Sequence, residues 1–165
     1  MKKEFGDTLP DGNFYDIGSG SGKGVISAAL SYPFKKCIGI EFLENLYKLS
    51  DEIKKMYDEN IKKQFETYNN LFDGFNKPVN VSFINADFLK ETWNEPSVIL
   101  ANSTCFSVDL MVEIGKKANK ECPSGTIIIT FTKRIPGLTT DWELKDGFRR
   151  LMSWGAGTVY VHRRK

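Results

Sequence analysis

Residues Phe14–Gly24 read FYDIGSGSGKG. An apolar run carries an acid near its end, and glycines then stand at 18, 20, 22 and 24. The run reads as a buried strand over 13–17. The glycines read as a tight turn whose backbone, lacking Cβ atoms, can approach a ligand closely. The stretch that follows, KGVISAALSYP (23–33), has helical spacing and closes at Pro33, a residue that cannot continue a helix. Strand, glycine turn and helix make an opening βα unit, and the rest of the chain is read from it.

Working outward, KKCIGIE (35–41) is a second strand ending in an acid, Glu41. LENLYKLSDEIKKMYDENIKKQFETY (43–68) places apolar residues at 46, 49, 53, 56 or 57, and 61, a long amphipathic helix. NNLFDGFNKP (69–78) is a loop. VNVSFINAD (79–87) and SVILAN (97–102) are the third and fourth strands. SVDLMVEIGKKANKE (107–121) is a helix, CPSG a turn, and TIIITFT (126–132) a fifth strand. After the loop IPGLTTD, the segment 142–164 reads as two strands joined by a glycine turn. Alternating strands and helices predict an α/β fold: one domain over 1–165, with a doubly wound, mostly parallel sheet of about seven strands and a closing antiparallel hairpin. Such sheets bind ligands at the carboxyl ends of the strands, where strand order reverses. The residues to inspect are therefore Gly18–Gly22, Glu41, Asp87–Phe88 and Asn102–Phe106.

Composition narrows the class. The 165 residues carry 23 Lys and Arg against 21 Asp and Glu, a net charge of +2. That balance is unlike a protein held mainly by nucleic acid, so nucleic-acid contact is at most a weak expectation. Basic pairs such as Lys35-Lys36, Lys62-Lys63 and Arg149-Arg150 read as solvated surface. The cysteines at 37, 105 and 122 form no CxxC, and with a single histidine, His162, they are too few for a zinc site. Reduced thiols fit a nuclear or cytoplasmic protein. Cys105 reads as a small apolar filler and His162 as structural. No apolar stretch approaches the roughly 20 residues that span a bilayer. Oligomeric state is not legible.

Two phosphate-binding patterns fail on the glycine turn. A Walker loop would need Gly at Ile17 and Ser or Thr at Gly24. The dinucleotide fingerprint GxGxxG meets Lys23 or Val25 where its last glycine belongs. What fits is acid-x-Gly-x-Gly-x-Gly: Asp16, Gly18, Gly20, Gly22. It resembles the pattern of class I methyltransferases that use S-adenosyl-L-methionine. In that reading Asp16 accepts from the methionine amino group, and the helix N-terminus behind the turn faces the carboxylate. Glu41 can accept from both ribose hydroxyls; Asp87 can accept from the adenine amino group, with Phe88 packing on the ring. Each acid alone also reads as a solvated strand end. Three successive strand ends in the right order are what connect them.

The segments FGDT, FYDIGSGSGKG, GIE, NADFLKETW, SVILANSTCFS and SWGAGTVYVHRR resemble the catalytic core of the disruptor-of-telomeric-silencing family of histone lysine methyltransferases, over about residues 5–163. The resemblance implies a protein lysine N-methyltransferase with a protein substrate, a core histone in the family. It implies that Asp16, Gly18, Gly20, Gly22, Glu41, Asp87 and Phe88 bind the cofactor, and that Thr8 belongs to a loop folding over it. Lys23, which stands where the family has a glutamine, would also bind the cofactor. Asn102 would lie beside both the methyl donor and the incoming lysine, and Phe106 would line the lysine channel. Ser103 and Thr104 replace a second asparagine and an aromatic residue. Phe131, Trp142 and Trp154 are further candidate channel walls, with core packing as the alternative. An RNA or small-molecule methyltransferase, or a non-catalytic cofactor-binding domain, are the other readings that the residues leave open.

Overall fold

Strands covered on both faces must be apolar without alternation, and the middle of this chain obeys that rule. In the computed structural model β1 (Asn13–Ile17), β2 (Lys36–Glu41) and β4 (Pro96–Ala101) are buried at nearly every position. The structure describes residues 11–67, 78–152 and 155–165. Thr8, Trp154 and nearly all of the loop expected over 69–78 lie outside these. Together with β3 (Asn80–Asn85), β5 (Ile127–Phe131), β6 (Trp142–Met152) and β7 (Gly155–Arg164), the strands form one 7-stranded sheet of order β3-β2-β1-β4-β5-β7-β6. Strands β1 to β5 pair in parallel, while β7 runs antiparallel to both β5 and β6. The expected doubly wound sheet with its terminal hairpin is the one observed.

Side-chain alternation sends neighbouring residues to two core layers. Phe14, Cys37, Val81, Val98 and Ile127 pack with Val25, Ala28 and Ala29 of helix α1 (Lys23–Ser31) on one face. Tyr15, Ile38, Ile99 and Ile128 pack with Met111, Ile114 and Ala118 of a helix over Val108–Glu121 on the other. Ser107 starts that last helix by accepting the Leu110 N–H, as a serine cap should.

The long helix after β2 turns only part of its expected apolar face inward: Tyr57 is buried and Ile53 and Ile61 half-buried. It is α2 (Glu44–Met56), a π-helical turn over Tyr57–Lys62, and α3 (Lys63–Thr67); the helix over Val108–Glu121 is therefore α4. Its inner face is not the leucine stripe: Leu49 is 43% and Met56 62% exposed, whereas Ser50 and Tyr57 are buried. The reason lies in the glycine turn. A Cβ on Gly22 would stand 3.2 Å from Ser50 Cβ, so α2 sits directly on the turn at its small, fully buried serine. Seven residues on, the Tyr57 ring is inside and its hydroxyl donates to the Val79 carbonyl at 3.1 Å.

Of its two readings, channel wall or core packing, Trp142 takes the second. It opens β6 and pairs with Arg164, at the amino-terminal level of β5 and so at the opposite end of the sheet from Phe131. An antiparallel hairpin has to begin there. Trp142 is 8% exposed in the α4-side core. Cys105 is exposed rather than a core filler, because it lies in a short 3-10 turn (Ser103–Cys105) that leaves the sheet. His162 is structural, as expected. Burial, aided by the Arg134 charge, pushes it down to about 4, so it is neutral, and its Nε2 accepts the Ile135 N–H at 3.4 Å.

Gly115 tests how tightly α4 is held. A Cβ there would meet the Pro136 carbonyl oxygen at 2.4 Å. Gly115→Ala gains about 1 kcal/mol in helix propensity but forces a backbone clash of the kind that costs about 1–3 kcal/mol. We expect a net loss of up to about 2 kcal/mol in urea unfolding. A more stable variant would show that the 134–139 loop moves aside freely.

Candidate functional site

Strand order reverses at β1, which lies between β2 and β4. Ile17 pairs with Ile40 on one side and Ala101 on the other, so Gly18, Glu41 and Asn102 leave the sheet side by side. This is the crevice in which α/β sheets bind ligands.

The turn after β1 takes left-handed backbone at Gly18 (φ 72°), Gly20 (φ 55°) and Gly22 (φ 84°). Close approach also demands glycine at two of them. A Cβ on Gly22 would stand 2.4 Å from the Phe83 ring, and one on Gly18 would stand 3.0 Å from Phe106 Cζ. At Gly20 nothing lies within 4 Å of that position, so the turn is open on one side. Gly22 caps α1 and no side chain satisfies the helix's first N–H groups, which leaves the positive end of the helix dipole beside the turn. Lys23 begins α1 and is exposed.

Glu41, 7% exposed, holds the turn in place: its Oε2 accepts from Gly20 N–H and its Oε1 from Leu43 N–H, both at 2.8 Å. Asn85 donates to the Glu41 and Phe42 carbonyls, tying the end of β3 to the end of β2. Asp16, 5% exposed, lies under the first turn of α1; a Cβ on Gly24 would come within 2.3 Å of its Oδ2. Burial above all, and then the Glu41 charge, raises the Asp16 carboxyl to about 7. Beyond β3, Asp87 Oδ1 accepts from Leu89 N–H at 3.0 Å and Oδ2 lies 3.9 Å from Lys90 Nζ.

The fourth strand brings the other wall. Asn102 is exposed, with its Oδ1 accepting from the Thr104 hydroxyl at 3.1 Å. Phe106, half-buried, sits against Gly18 and stacks on Phe88 with ring centroids 5.9 Å apart. Phe88 itself is 8% exposed and part of the core. The structure thus unites Asp16, the three glycines, Glu41, Asp87, Phe88, Asn102 and Phe106 at one end of the sheet. Thr8 is outside the described residues. Sequence reasoning gave no role to Gly24, which makes room for Asp16, nor to Gly39, where a Cβ would strike the Phe83 ring at 2.5 Å. A glycine inside helix α1, where it costs about 1 kcal/mol relative to alanine, was the available signal for the first. Among the described residues no group of His, Cys, Asp and Glu could hold a metal ion, and no helix is long and apolar enough to cross a membrane.

Strand order and glycine turn together define the class: this is the Rossmann-like methyltransferase fold. TrmN from Thermus thermophilus superimposes with a TM-score of 0.64 at 18% identity, over 94% of this chain and 45% of that one. PKMT2 from Rickettsia typhi, solved in complex with AdoHcy, gives 0.54 at 17% identity, over 79% of this chain and 23% of that one. A family profile described as histone methylation protein DOT1 matches residues 7–146, and the chain belongs to that family. It is also 30% identical over 126 residues to an H3 lysine-79 specific histone-lysine N-methyltransferase of Debaryomyces hansenii. That match covers 76% of this chain, which spans about a tenth (10%) of the length of that relative.

The raised Asp16 has a consequence for stability. Its carboxyl ionises at 3.8 in the unfolded chain and at about 7 in the folded one, so the folded state holds the extra proton between those values. Stability therefore falls as pH rises from about 4 to 7 and levels off above. Asp16→Asn lacks this penalty. Relative to the wild type, its unfolding free energy should gain about 2–4 kcal/mol between pH 4 and pH 8. A gap that does not change with pH would refute the assignment.

Proposed function

We propose that this chain transfers methyl groups from S-adenosyl-L-methionine to a lysine side chain of a protein, and that the protein is a histone. The observation that carries the reading is the array of acids, Asp16, Glu41 and Asp87, at the ends of β1, β2 and β3 around an open glycine turn, with Asn102 and Phe106 facing it from β4. Membership of the DOT1 family supports the histone substrate and, with it, a nuclear location.

The residues present fit the cofactor. The open side of Gly20 and the uncapped N-terminus of α1 suit a carboxylate, and Asp16 suits an ammonium once it has lost its proton. Glu41 has lone pairs left for ribose hydroxyls after serving Gly20 and Leu43, and Asp87 Oδ2 can accept from an exocyclic amine. When bound, the cofactor supplies a methyl group on a positively charged sulfur, a good leaving group. What remains for the protein is alignment and exclusion of water, the terms that dominate when the reacting groups are already competent. The target amine must be neutral to attack. An apolar channel beside Phe106 favours the neutral form by desolvation.

Calorimetric titration with S-adenosylmethionine tests the first half. Hydrogen bonds to a charged group are worth about 1.5–3 kcal/mol, so Asp87→Ala should weaken binding by roughly 10- to 100-fold. Transfer of labelled methyl to core histones tests the second: the wild type should label lysine, and Asn102→Ala should bind cofactor but label at least about 10-fold more slowly. A folded wild type that binds no cofactor would sink the whole proposal. Binding with label appearing only on RNA or small molecules would sink the substrate assignment alone.

A further inference from the structure

The segment that carries Asn102 is fastened to the end of β5 and the residues after it by four side chains. Ser103, fully buried, donates its hydroxyl to the Phe131 carbonyl at 2.6 Å. Lys133 Nζ donates to the Thr104 carbonyl at 3.2 Å and also to the Phe106 carbonyl. Thr104 Oγ1 stands 3.1 Å from Asn102 Oδ1 and 3.1 Å from Thr132 Oγ1. Thr132 reaches it from a left-handed backbone conformation, φ 69°, which a β-branched residue seldom adopts and which costs about 1–3 kcal/mol. Its own N–H is anchored on the Thr158 carbonyl at 2.7 Å.

Proton counting fixes the direction of this chain. An amide oxygen only accepts, so the single Thr104 hydroxyl hydrogen goes to Asn102 Oδ1. Thr104 Oγ1 must then accept from Thr132, whose hydrogen goes to Thr104. The order is Thr132, Thr104, Asn102, with every hydrogen assigned. It turns the Asn102 oxygen to Thr104 and leaves the two Nδ2 hydrogens as the donors this side chain offers elsewhere.

We infer that Thr104 and Thr132 are positioning residues that fix the orientation of the Asn102 side-chain amide through this hydroxyl relay, while Ser103 and Lys133 hold the segment that carries it. The contribution to methyl transfer rests on the function proposed above; the orientation of the amide does not.

The test uses the full chain and the variants Thr104→Val, which keeps the shape and loses the hydroxyl, Thr104→Ser, which restores it, and Thr132→Ala. Thr104 is exposed, so its variants should fold. The first readout is the pair of Asn102 side-chain amide resonances in a nitrogen–proton correlation spectrum, identified by their loss in Asn102→Asp. Both should shift in Thr104→Val and in Thr132→Ala and return in Thr104→Ser. The second readout is kinetic. Thr104→Val should lower the rate of methyl transfer about 10-fold with the cofactor Kd within about twofold of wild type, and Thr104→Ser should recover it. Unmoved amide resonances in Thr104→Val, or a serine variant indistinguishable from the valine one, would overturn the relay. If the wild type transfers no methyl group, the functional reading fails, and the resonances alone still decide the relay.

Discussion

A single carboxylate at the end of β2 organises the crevice. Glu41 accepts from Gly20 on the turn after β1 and from Leu43 on the turn before α2. Two loops that are far apart in sequence are thereby held to one side chain by charge-assisted bonds, worth about 1.5–3 kcal/mol each in a buried setting. The left-handed glycines around Gly20 are costly to order, because glycine loses more conformational freedom on folding than any other residue. A buried anion that binds the turn's own N–H group offsets part of that cost. The Asn85 contacts extend the same tie to β3, so three successive strand ends are bonded to one another.

The opposite wall is built on another principle. Asn102 to Phe106 leave β4 through the 3-10 turn Ser103–Cys105, a stretch in which Asn102, Thr104 and Cys105 are exposed and only Ser103 is buried. Its order comes from hydroxyl and ammonium groups reaching across from the segment after β5, and from the Phe106 ring, which rests on Gly18 and stacks on Phe88. One half of the crevice is thus a rigid nest of backbone and carboxylate. The other is held by side chains over a glycine.

Much of this was legible because buried parallel strands are uninterrupted apolar runs. FYDI, CIGIE and IIITF have no other reasonable reading, and the acids that close β1 to β3 stand out against them. The inward face of α2 was only partly legible. The helical period pointed to 46, 49, 53, 56 or 57, and 61; Tyr57 and Ile61 do pack inward, but Leu49 and Met56 are exposed and Ser50 lies against Gly22, a contact that only the assembled fold creates. The π-helical turn at Tyr57–Lys62 then shifts the phase again. Trp142 had two readings, channel wall or core, and its type could not decide between them: β6, antiparallel to β7 and so aligned with β5, begins at the other end of the sheet. The partnership of Thr104 with Thr132 depends on β4 and β5 being neighbours, which residue spacing does not reveal.

The proton on Asp16 couples the crevice to the solvent. With its carboxyl titrating at about 7, the empty protein at neutral pH is a mixture of charged and uncharged forms. A cationic group arriving beside Asp16 selects the charged form and expels the proton to the buffer. The heat of ligand binding then contains the buffer's own heat of protonation, and should differ between phosphate and Tris at the same pH. Net proton release per site would read out the ionisation of one buried residue without any substitution.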